Sequence, residues 1–327
     1  RLNTEEEDNG VLHIDSVIGP SIADIHIGRS AENEPGGGRV ILSGNNQLSG
    51  DAYLEGGSVQ LGTGGTNSRA FGDSTVNVSQ SSSLHGAENS TNGAELLNSV
   101  NITSGATLST ENTLSLGGAI SGSGSLNVES GTLSLFGDSN PTWRGSTSIE
   151  PGATLVTLNP ERISDSSALT VDGTLSLGGN ETIGDLSGSG VIANNGNDLT
   201  VNQTSDQEFN GDVTGAGGLA KQGESNLTLG GDIDFTGVAN INEGTLTVSG
   251  ALATNTINVS NGATLTTTAA DLLSDGATLT NNGTLNLGGN DTITNLFGSE
   301  TGTINLGSNN LLLLGGNHFE GRINGEG

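Results

Sequence analysis

Short alternations of apolar and polar residues, each closed by glycine or asparagine, run through most of this chain. In Leu133-Ser134-Leu135, for example, two leucines flank one small polar residue. Successive side chains of a β-strand point to opposite faces, so both leucines enter a core while the serine meets solvent. The glycines that follow permit tight turns. The pattern predicts strands of about three to five residues separated by turns.

One stretch of eleven residues returns later in the chain with conservative changes. Residues 173–183 read GTLSLGGNETI and residues 283–293 read GTLNLGGNDTI, an offset of 283 − 173 = 110. Internal repetition of this kind indicates stacked units that share one continuous core. In this element we expect Leu175 and Leu177 to face the core and Ser176 to face solvent.

The spacing of the strands selects among the repeat architectures. Helix signals are nearly absent, and neither propeller blades nor leucine-rich repeats fit the irregular short strands. The pattern favours an all-β fold, a right-handed single-stranded parallel β-helix in which each coil pairs with the coil before it. We expect residues 1–36 to form irregular N-terminal rungs and a loop, and residues 37–327 to form the β-helix repeats.

Charge and cysteine content restrict the partners. The 327 residues carry 8 Lys+Arg against 36 Asp+Glu, a formal net charge of −28. This argues against nucleic acid and against anionic lipid, because both are bound through basic side chains. Cysteine is absent, which excludes disulfides and thiolate metal sites. The chain starts without Met, and we expect it to be a fragment of a longer protein.

A longer pattern combines glycine-rich turns, paired leucines and an aromatic-x-Gly step. It occurs most completely over residues 215–248 and again over 122–155 and 40–73. This combination resembles the strand repeat of the passenger domains of autotransporters from Gram-negative bacteria. The resemblance covers roughly residues 36–327.

The resemblance implies a function and a location. Passengers of this kind are displayed at the cell surface, and the full-length protein is anchored at the outer membrane by a C-terminal β-barrel. We expect a non-enzymatic adhesin that attaches, self-associates or builds biofilm through a polar lateral face. Its partners would be copies of itself on neighbouring cells, a host surface protein or a glycan. The alternatives are a β-helical polysaccharide-degrading enzyme and a passive stalk that presents a domain outside this sequence.

Two tripeptides superficially resemble serine protease sites. They are Gly72-Asp73-Ser74 and Gly137-Asp138-Ser139. The residue that follows each serine is not the glycine that an oxyanion turn would use, and none of the four histidines lies in a motif. We therefore expect no Ser-His catalysis at either tripeptide.

A carbohydrate-cleaving site would need carboxylates close together on one face. The candidates on successive repeats are Asp185, Asp206, Asp212, Asp232 and Asp234. The competing interpretation is a set of solvated carboxylates at turns, because the basic and aromatic residues that such enzymes use are scarce here.

No cofactor is expected, apart from weak Ca²⁺ binding by the many carboxylates. The calcium-binding nonapeptide and the EF-hand loop are both missing. A transition-metal patch is conceivable on the outer face of two early strands, if those strands are neighbours. Its members would be His13, Asp15, Asp24 and His26. The competing interpretation is an ordinary polar outer face.

The last expectations concern where the aromatic residues lie and which segments carry the function. Trp143, Phe235 and Phe319 occupy one position of the repeat, and we expect them to fill the core or a corner rather than bind sugar. Function is expected where copies differ. These places are the protruding loops near 85–98, 158–167 and 267–275, and the first 36 residues.

Overall fold

Strands are the only regular elements across the described part of the chain, in which no helix occurs. The computed structural model describes residues 11–14, 17–22, 24–28, 39–43, 46–62, 70–87, 93–137 and 143–326. The chain divides into two compact units, Arg1–Ser167 and Ala168–Gly327. Residues 1–10 and 29–36 of the predicted N-terminal region, Asp15 and the tripeptide residues Asp138 and Ser139 lie outside the described residues.

Sixteen strands occur among the described residues of the first unit. In chain order they are β1 Val11–Ile14, β2 Ile25–Ile27, β3 Arg39–Leu42, β4 Ala52–Glu55, β5 Ser58–Leu61, β6 Val76–Gln80, β7 Ser82–His85, β8 Ala94–Leu96, β9 Val100–Ile102, β10 Thr107–Glu111, β11 Leu114–Leu116, β12 Ile120–Gly122, β13 Ser125–Val128, β14 Thr132–Leu135, β15 Thr147–Ile149 and β16 Thr154–Thr157.

The second unit contains twenty-three strands. They are β17 Leu169–Val171, β18 Thr174–Leu177, β19 Glu181–Ile183, β20 Leu186–Gly188, β21 Val191–Ala193, β22 Leu199–Asn202, β23 Gln207–Phe209, β24 Asp212–Gly215, β25 Leu219–Gln222, β26 Asn226–Leu229, β27 Ile233–Phe235, β28 Val238–Ile241, β29 Thr245–Val248, β30 Thr256–Val259, β31 Thr264–Thr267, β32 Thr278–Asn281, β33 Thr284–Asn286, β34 Asp291–Ile293, β35 Asn295–Gly298, β36 Thr303–Gly307, β37 Leu311–Leu313, β38 Asn317–Phe319 and β39 Arg322–Gly325.

Consecutive strands lie in different sheets, and each strand pairs with strands one coil away. In the first unit the sheet orders are β1-β3-β5-β7-β10-β13-β15, β2-β4-β6-β9-β12 and β8-β11-β14-β16. Adjacent strands within these sheets are parallel, as for Val40 beside Val59 in β3 and β5. The predicted all-β parallel β-helix is thereby confirmed, while its right-handed sense stays a prediction.

The second unit repeats this architecture. Its sheets are β17-β20-β23-β26-β29-β31-β33-β36-β39, β18-β21-β24-β27, β19-β22-β25-β28-β30-β32-β35-β38 and the short pair β34-β37. Coil length varies along the stack. Leu169 pairs with Leu186 across a short coil, whereas Thr256 pairs with Thr278 across a longer one. The turns between strands absorb this difference, and the pairing stays parallel.

Leucine columns form the core, as the alternation predicts. In β18, Leu175 and Leu177 are fully buried while Ser176 between them is half-buried on the outer face. Leu227, Leu246 and Leu265 stack in register on three successive coils. Burying a leucine side chain contributes about 2 kcal/mol, so the stack of coils supplies its own cohesion without cysteines.

The N-terminal region joins the same architecture. Strand β1 pairs with β3, placing Leu12 beside Val40, and β2 pairs with β4, placing Ile25 beside Ala52. Both strands therefore extend the sheets that the following coils build.

Candidate functional site

One outer surface of the second unit presents only threonine and asparagine side chains. We call it the threonine–asparagine face. It is formed by the outward side chains of β26, β29, β31, β33 and β36, all of them half-buried. Its members are Asn226, Thr228, Thr245, Thr247, Thr264, Thr266, Thr284, Asn286, Thr303 and Asn305. They alternate with core leucines because the strand period is two.

Two columns make up this face, and the register defines both. The first column stacks Asn226, Thr245, Thr264, Thr284 and Thr303, and the second stacks Thr228, Thr247, Thr266, Asn286 and Asn305. Neighbouring strands of a sheet are about 4.8 Å apart, so each column presents a polar group at that interval along the stack.

From Thr266 onward, side-chain hydrogen bonds along the stack tie the second column together, whereas Thr247 donates to Asn226 Oδ1 of the first column at 2.9 Å. Asn305 Nδ2 donates to Asn286 Oδ1 at 2.8 Å, and Asn286 Nδ2 donates to Thr266 Oγ1 at 3.3 Å. Asn324 of β39 continues this asparagine ladder, donating to Asn305 Oδ1 at 3.0 Å. Each ladder asparagine still has one N–H and one lone pair to offer outward.

The threonines of the first column behave differently. Among the described residues, the hydroxyls of Thr245, Thr264, Thr284 and Thr303 make no hydrogen bond. These four hydroxyls are therefore open to water or to a partner. The face thus places a row of available hydroxyls beside a row of amides whose orientation the ladder fixes.

The ladder contributes measurable stability. A double-mutant cycle of Asn286→Ala and Asn305→Ala is expected to give a coupling energy of about 1 kcal/mol in denaturant unfolding, since one side-chain hydrogen bond links them. The matched cycle of Thr284→Ala and Thr303→Ala, on the same two strands, is expected to give about zero because those hydroxyls are not bonded. Equal couplings in the two cycles would contradict the ladder.

Charge is confined to the edges of the face. Exposed Glu208 of β23 precedes it and Arg322 of β39 follows it, with no charged outward residue on the five strands between. This is unexpected in a chain of net charge −28. Acidic residues lie instead in other sheets and in turns, such as those that contain Asp185 and Asp206.

The corner carboxylates bind backbone N–H groups of the next coil. Asp206 accepts from the Asn226 N–H at 2.8 Å, and Asp212 accepts from the Asp232 N–H at 3.0 Å. Asp185 accepts from the N–H groups of Thr204 at 2.6 Å and Ser205 at 3.2 Å. These aspartates are thus structural links between coils, which sequence reasoning had described only as solvated.

Asp185 shows how such hydrogen bonds shift the pKa of a corner carboxylate. Partial burial raises its pKa, but the hydrogen bonds donated by the Ser205 hydroxyl and by the backbone N–H groups of Thr204 and Ser205 outweigh burial and hold the pKa below its ordinary value. A general acid needs the opposite shift.

The five candidate carboxylates do not converge on one place. Asp212, Asp232 and Asp234 lie on the adjacent strands β24 and β27 or at their edge, where the register sets Thr214 beside Asp234. Asp185 and Asp206 belong instead to turns next to β20 and β23. The gathering of all five on one face, which a carbohydrate-cleaving site would need, is therefore not found for this second pair.

Ser74 faces the preceding coil. Its side chain is buried, and its hydroxyl donates to the carbonyl oxygen of Gly50. Its hydroxyl therefore serves to join two coils.

The proposed transition-metal patch is not assembled. Strand β1 carries His13 and pairs with β3, whereas β2 carries His26 and pairs with β4 in a different sheet. The condition for the patch, that these two strands are neighbours, is therefore not met, because each strand pairs one coil away. His26 instead stacks on Tyr53, with ring centroids 4.7 Å apart. Within the described residues, no group of three or more His, Asp or Glu could hold a metal ion.

The repeated aromatic position fills the interior, as predicted for Trp143 and Phe235. Both are fully buried, and Trp143 Nε1 donates to the Gly124 carbonyl at 3.1 Å. Phe319 is half-buried. A Cβ on Gly145 would lie 2.6 Å from Trp143 Nε1, and one on Gly321 would lie 2.5 Å from the Phe319 ring. At these two aromatic-x-Gly steps, the ring therefore lies over the glycine, and a larger residue would not fit.

The irregular segments are only partly exposed. In 158–167, Leu158 is exposed while Ile163 is buried, and in 267–275, Leu273 is buried and bridges to Leu252. The expectation that these loops protrude is therefore wrong for Ile163 and Leu273, whereas residues 268–271 are exposed as expected. The segment 85–98 includes strand β8, and its residues 88–92 lie outside the described part.

Several buried ionisable groups were not predicted from the sequence, and two of them, Lys221 and Asp291, have a shifted pKa. Lys221 of β25 is fully buried. Asp291, the first residue of β34, is 2% exposed, and burial raises its pKa even though the N–H groups of Leu273 and Thr292 donate to it. The alternation Leu219-Ala220-Lys221 places the lysine on the inner face and could have revealed it.

Known proteins give no information on the function of this chain, so its function is inferred from the geometry. No protein-family model, curated protein or solved structure matches the chain. Within the described residues, no helix is long and apolar enough to cross a lipid bilayer.

Proposed function

We propose that this chain is the β-helical passenger of an autotransporter-type adhesin, displayed at the cell surface and anchored at the outer membrane in the full-length protein. It attaches without catalysis, and the threonine–asparagine face makes the contact. The parallel β-solenoid fold is compatible with such a passenger. The observation that carries the proposal is an uncharged, regularly spaced polar face in a chain of net charge −28.

Electrostatics explain why such a face suits contact. Two copies of a strongly acidic chain repel wherever their carboxylates approach within the screening length, about 8 Å at physiological salt. Five successive strands without an outward charge remove this repulsion locally. Threonine hydroxyls and asparagine amides both donate and accept, so the face can bond to a copy of itself or to a neutral glycan.

The size of the face makes multivalency necessary. Five strands extend about 20 Å along the stack, and two outward residues span about 7 Å across it. That area is far below the roughly 800 Å² per partner of a standard interface. A single contact is therefore weak, and display of many copies on one cell supplies the avidity.

The first partner to test is a second copy on a neighbouring cell, followed by a host surface protein or a glycan. Beads coated with the full 327-residue chain should clump, and free chain should inhibit the clumping by occupying faces. Thr264→Asp with Thr284→Asp should reduce clumping at least about tenfold, since two new charges on each face repel their counterparts across the contact.

The matched control puts the same charges on another sheet. Thr200 and Ala220 are register partners on β22 and β25, so Thr200→Asp with Ala220→Asp changes net charge equally and should leave clumping intact. If both double variants clump alike, the face is not the contact.

Attachment to host cells without clumping, lost in the face variant alone, would identify a host partner. If the wild-type chain neither clumps nor attaches to host cells, this result would favour the passive stalk, which the solenoid fold also fits. No cofactor is proposed, so a calcium chelator should leave clumping unchanged.

A further inference from the structure

A surface turn of the second unit joins β30 to β31 and contains Asn261 followed by Gly262. The Ala263 N–H donates to the Ser260 carbonyl at 3.0 Å and closes a four-residue turn. Gly262 has φ of +87°, the left-handed conformation that the third position of a type II turn requires. Both central residues are exposed.

The two groups that could react with each other are unrestrained. Within the described part of the chain, neither the side-chain amide of Asn261 nor the backbone N–H of Gly262 makes a hydrogen bond. A Cβ built on Gly262 would meet nothing within 4 Å. The peptide unit between these residues therefore has room to rotate, and glycine adds no side chain to block an approach to its nitrogen.

Other Asn-Gly pairs of this unit are held by hydrogen bonds. Asn195 Nδ2 donates to Ser176 Oγ at 2.9 Å and to the Leu177 carbonyl at 3.1 Å. Asn282 Oδ1 accepts from the Ser299 N–H at 2.9 Å. Asn324 Nδ2 belongs to the asparagine ladder.

The remaining pair is restrained by packing. Gly211 follows Asn210 and is buried against the preceding coil, where a Cβ would overlap the Gly190 carbonyl. Among the described Asn-Gly pairs of the second unit, Asn261-Gly262 is therefore the one that combines exposure, free groups and open space.

We propose that Asn261 is a site of spontaneous deamidation. The Gly262 nitrogen loses its proton and attacks Cγ of Asn261, a new N–C bond forms, the bond from Cγ to the amide nitrogen breaks, and ammonia leaves. The product is a five-membered succinimide. Water then opens the ring at either carbonyl and yields aspartate or isoaspartate. One water is consumed and one ammonia is released, with no change in oxidation state.

The modification would alter the edge of the threonine–asparagine face. Thr264 follows the turn by three residues, and its N–H donates to the Gly244 carbonyl at 2.9 Å. Either product adds a negative charge beside this strand. Isoaspartate also lengthens the backbone of the turn by one atom. This extra length would disturb the strand register that the Thr264 hydrogen bond sets.

The test compares two Asn-Gly pairs in the same sample. The folded 327-residue chain is incubated in mildly alkaline buffer and digested, and mass spectrometry with isoaspartate-specific methylation follows each site. Asn261 is expected to react at least about tenfold faster than Asn195, because reaction at Asn195 first requires its hydrogen bonds to open. In denaturant the two sites should react at similar rates.

The chain supplies its own control turns. Glu150 to Ala153 and Thr103 to Ala106 close the same turn, with Pro151 or Ser104 at the position of Asn261. Their glycines have φ of +83° and +81°, close to that of Gly262. Asn261→Pro and Asn261→Ser should therefore keep the fold and abolish the modification. Equal rates at Asn261 and Asn195 in the folded chain would overturn the proposal, as would modification of Asn261 only after unfolding.

Discussion

Raising the pH from about 8 to about 10.5 is expected to stabilise the folded chain against unfolding by about 3 kcal/mol. The cause is Lys221, the single lysine of the sequence, whose side chain is fully buried in the second unit. When protonated, its Nζ donates to the carbonyl oxygens of Gln222 at 3.0 Å, Gly223 at 2.7 Å and Glu243 at 3.1 Å.

The direction of the effect follows from the proton balance. Burial lowers the pKa of Lys221 from 10.5 to about 8, although the charges of Glu243 and Asp206 oppose the shift. Below about 8, both folded and unfolded chains carry the proton, and the folded chain bears the full cost of a buried charge. Between the two values only the unfolded chain holds the proton, so stability rises with pH. Above 10.5 both forms are neutral.

Few other groups titrate in this range, which makes the experiment clean. Every other basic residue except histidine is arginine, which stays charged, and the chain has one tyrosine, Tyr53. Denaturant unfolding at successive pH values should show the rise in the wild type and in Tyr53→Phe. Lys221→Met should be flat over the same range, since methionine fills similar space without titrating. A rise that persists in Lys221→Met would assign the effect to another group.

The local structure was predictable because alternation acts within a few residues. Leu175, Ser176 and Leu177 take the faces that their pattern predicts, and the aromatic positions Trp143 and Phe235 are buried. These outcomes depend only on which side of a strand a residue occupies. Contacts with other coils do not reverse these side-chain orientations, because the core is narrow and aliphatic.

Sheet membership was not predictable, because it depends on the summed lengths of all intervening turns. The two copies of the repeat, 173–183 and 283–293, show this directly. Strand β18 lies in the sheet β18-β21-β24-β27, whereas its copy β33 lies beside β31 and β36 in another sheet. Because coils differ in length, a constant offset along the sequence does not return a strand to the same sheet. For the same reason the sequence left open whether β1 and β2 are neighbours, and they lie in different sheets.

The residue types of the candidate site could be predicted from the sequence, but the hydrogen bonds between its side chains could not. The middle residues of the Leu-x-Leu elements, such as Thr228 and Asn286, were expected to face solvent, and they do. Which of them bond to each other depends on register across coils. The asparagine ladder and the free threonine column therefore became visible only with the strands in place.

Replacing Gly211 by alanine is expected to destabilise the second unit by about 3 kcal/mol or more, the upper end of overpacking costs. Gly211 is buried, and a Cβ there would overlap the Gly190 carbonyl oxygen and lie 2.6 Å from the Phe209 ring. The obstructing carbonyl is backbone, and it also accepts the Asp212 N–H at 3.0 Å. The clash between the new Cβ and this carbonyl can therefore be relieved only if the two coils move apart.

Gly316→Ala provides the control, because a Cβ there would meet only Asn295 Oδ1 at 3.8 Å. Thermal and denaturant unfolding followed by circular dichroism should place this control within about 0.5 kcal/mol of the wild type. Each coil of a solenoid touches only its neighbours, so Gly211→Ala should also lower the cooperativity of unfolding by weakening one interface in the stack. Equal stability of the two variants would mean that the coils yield freely, and tight glycine stacking would then not set the spacing of this solenoid.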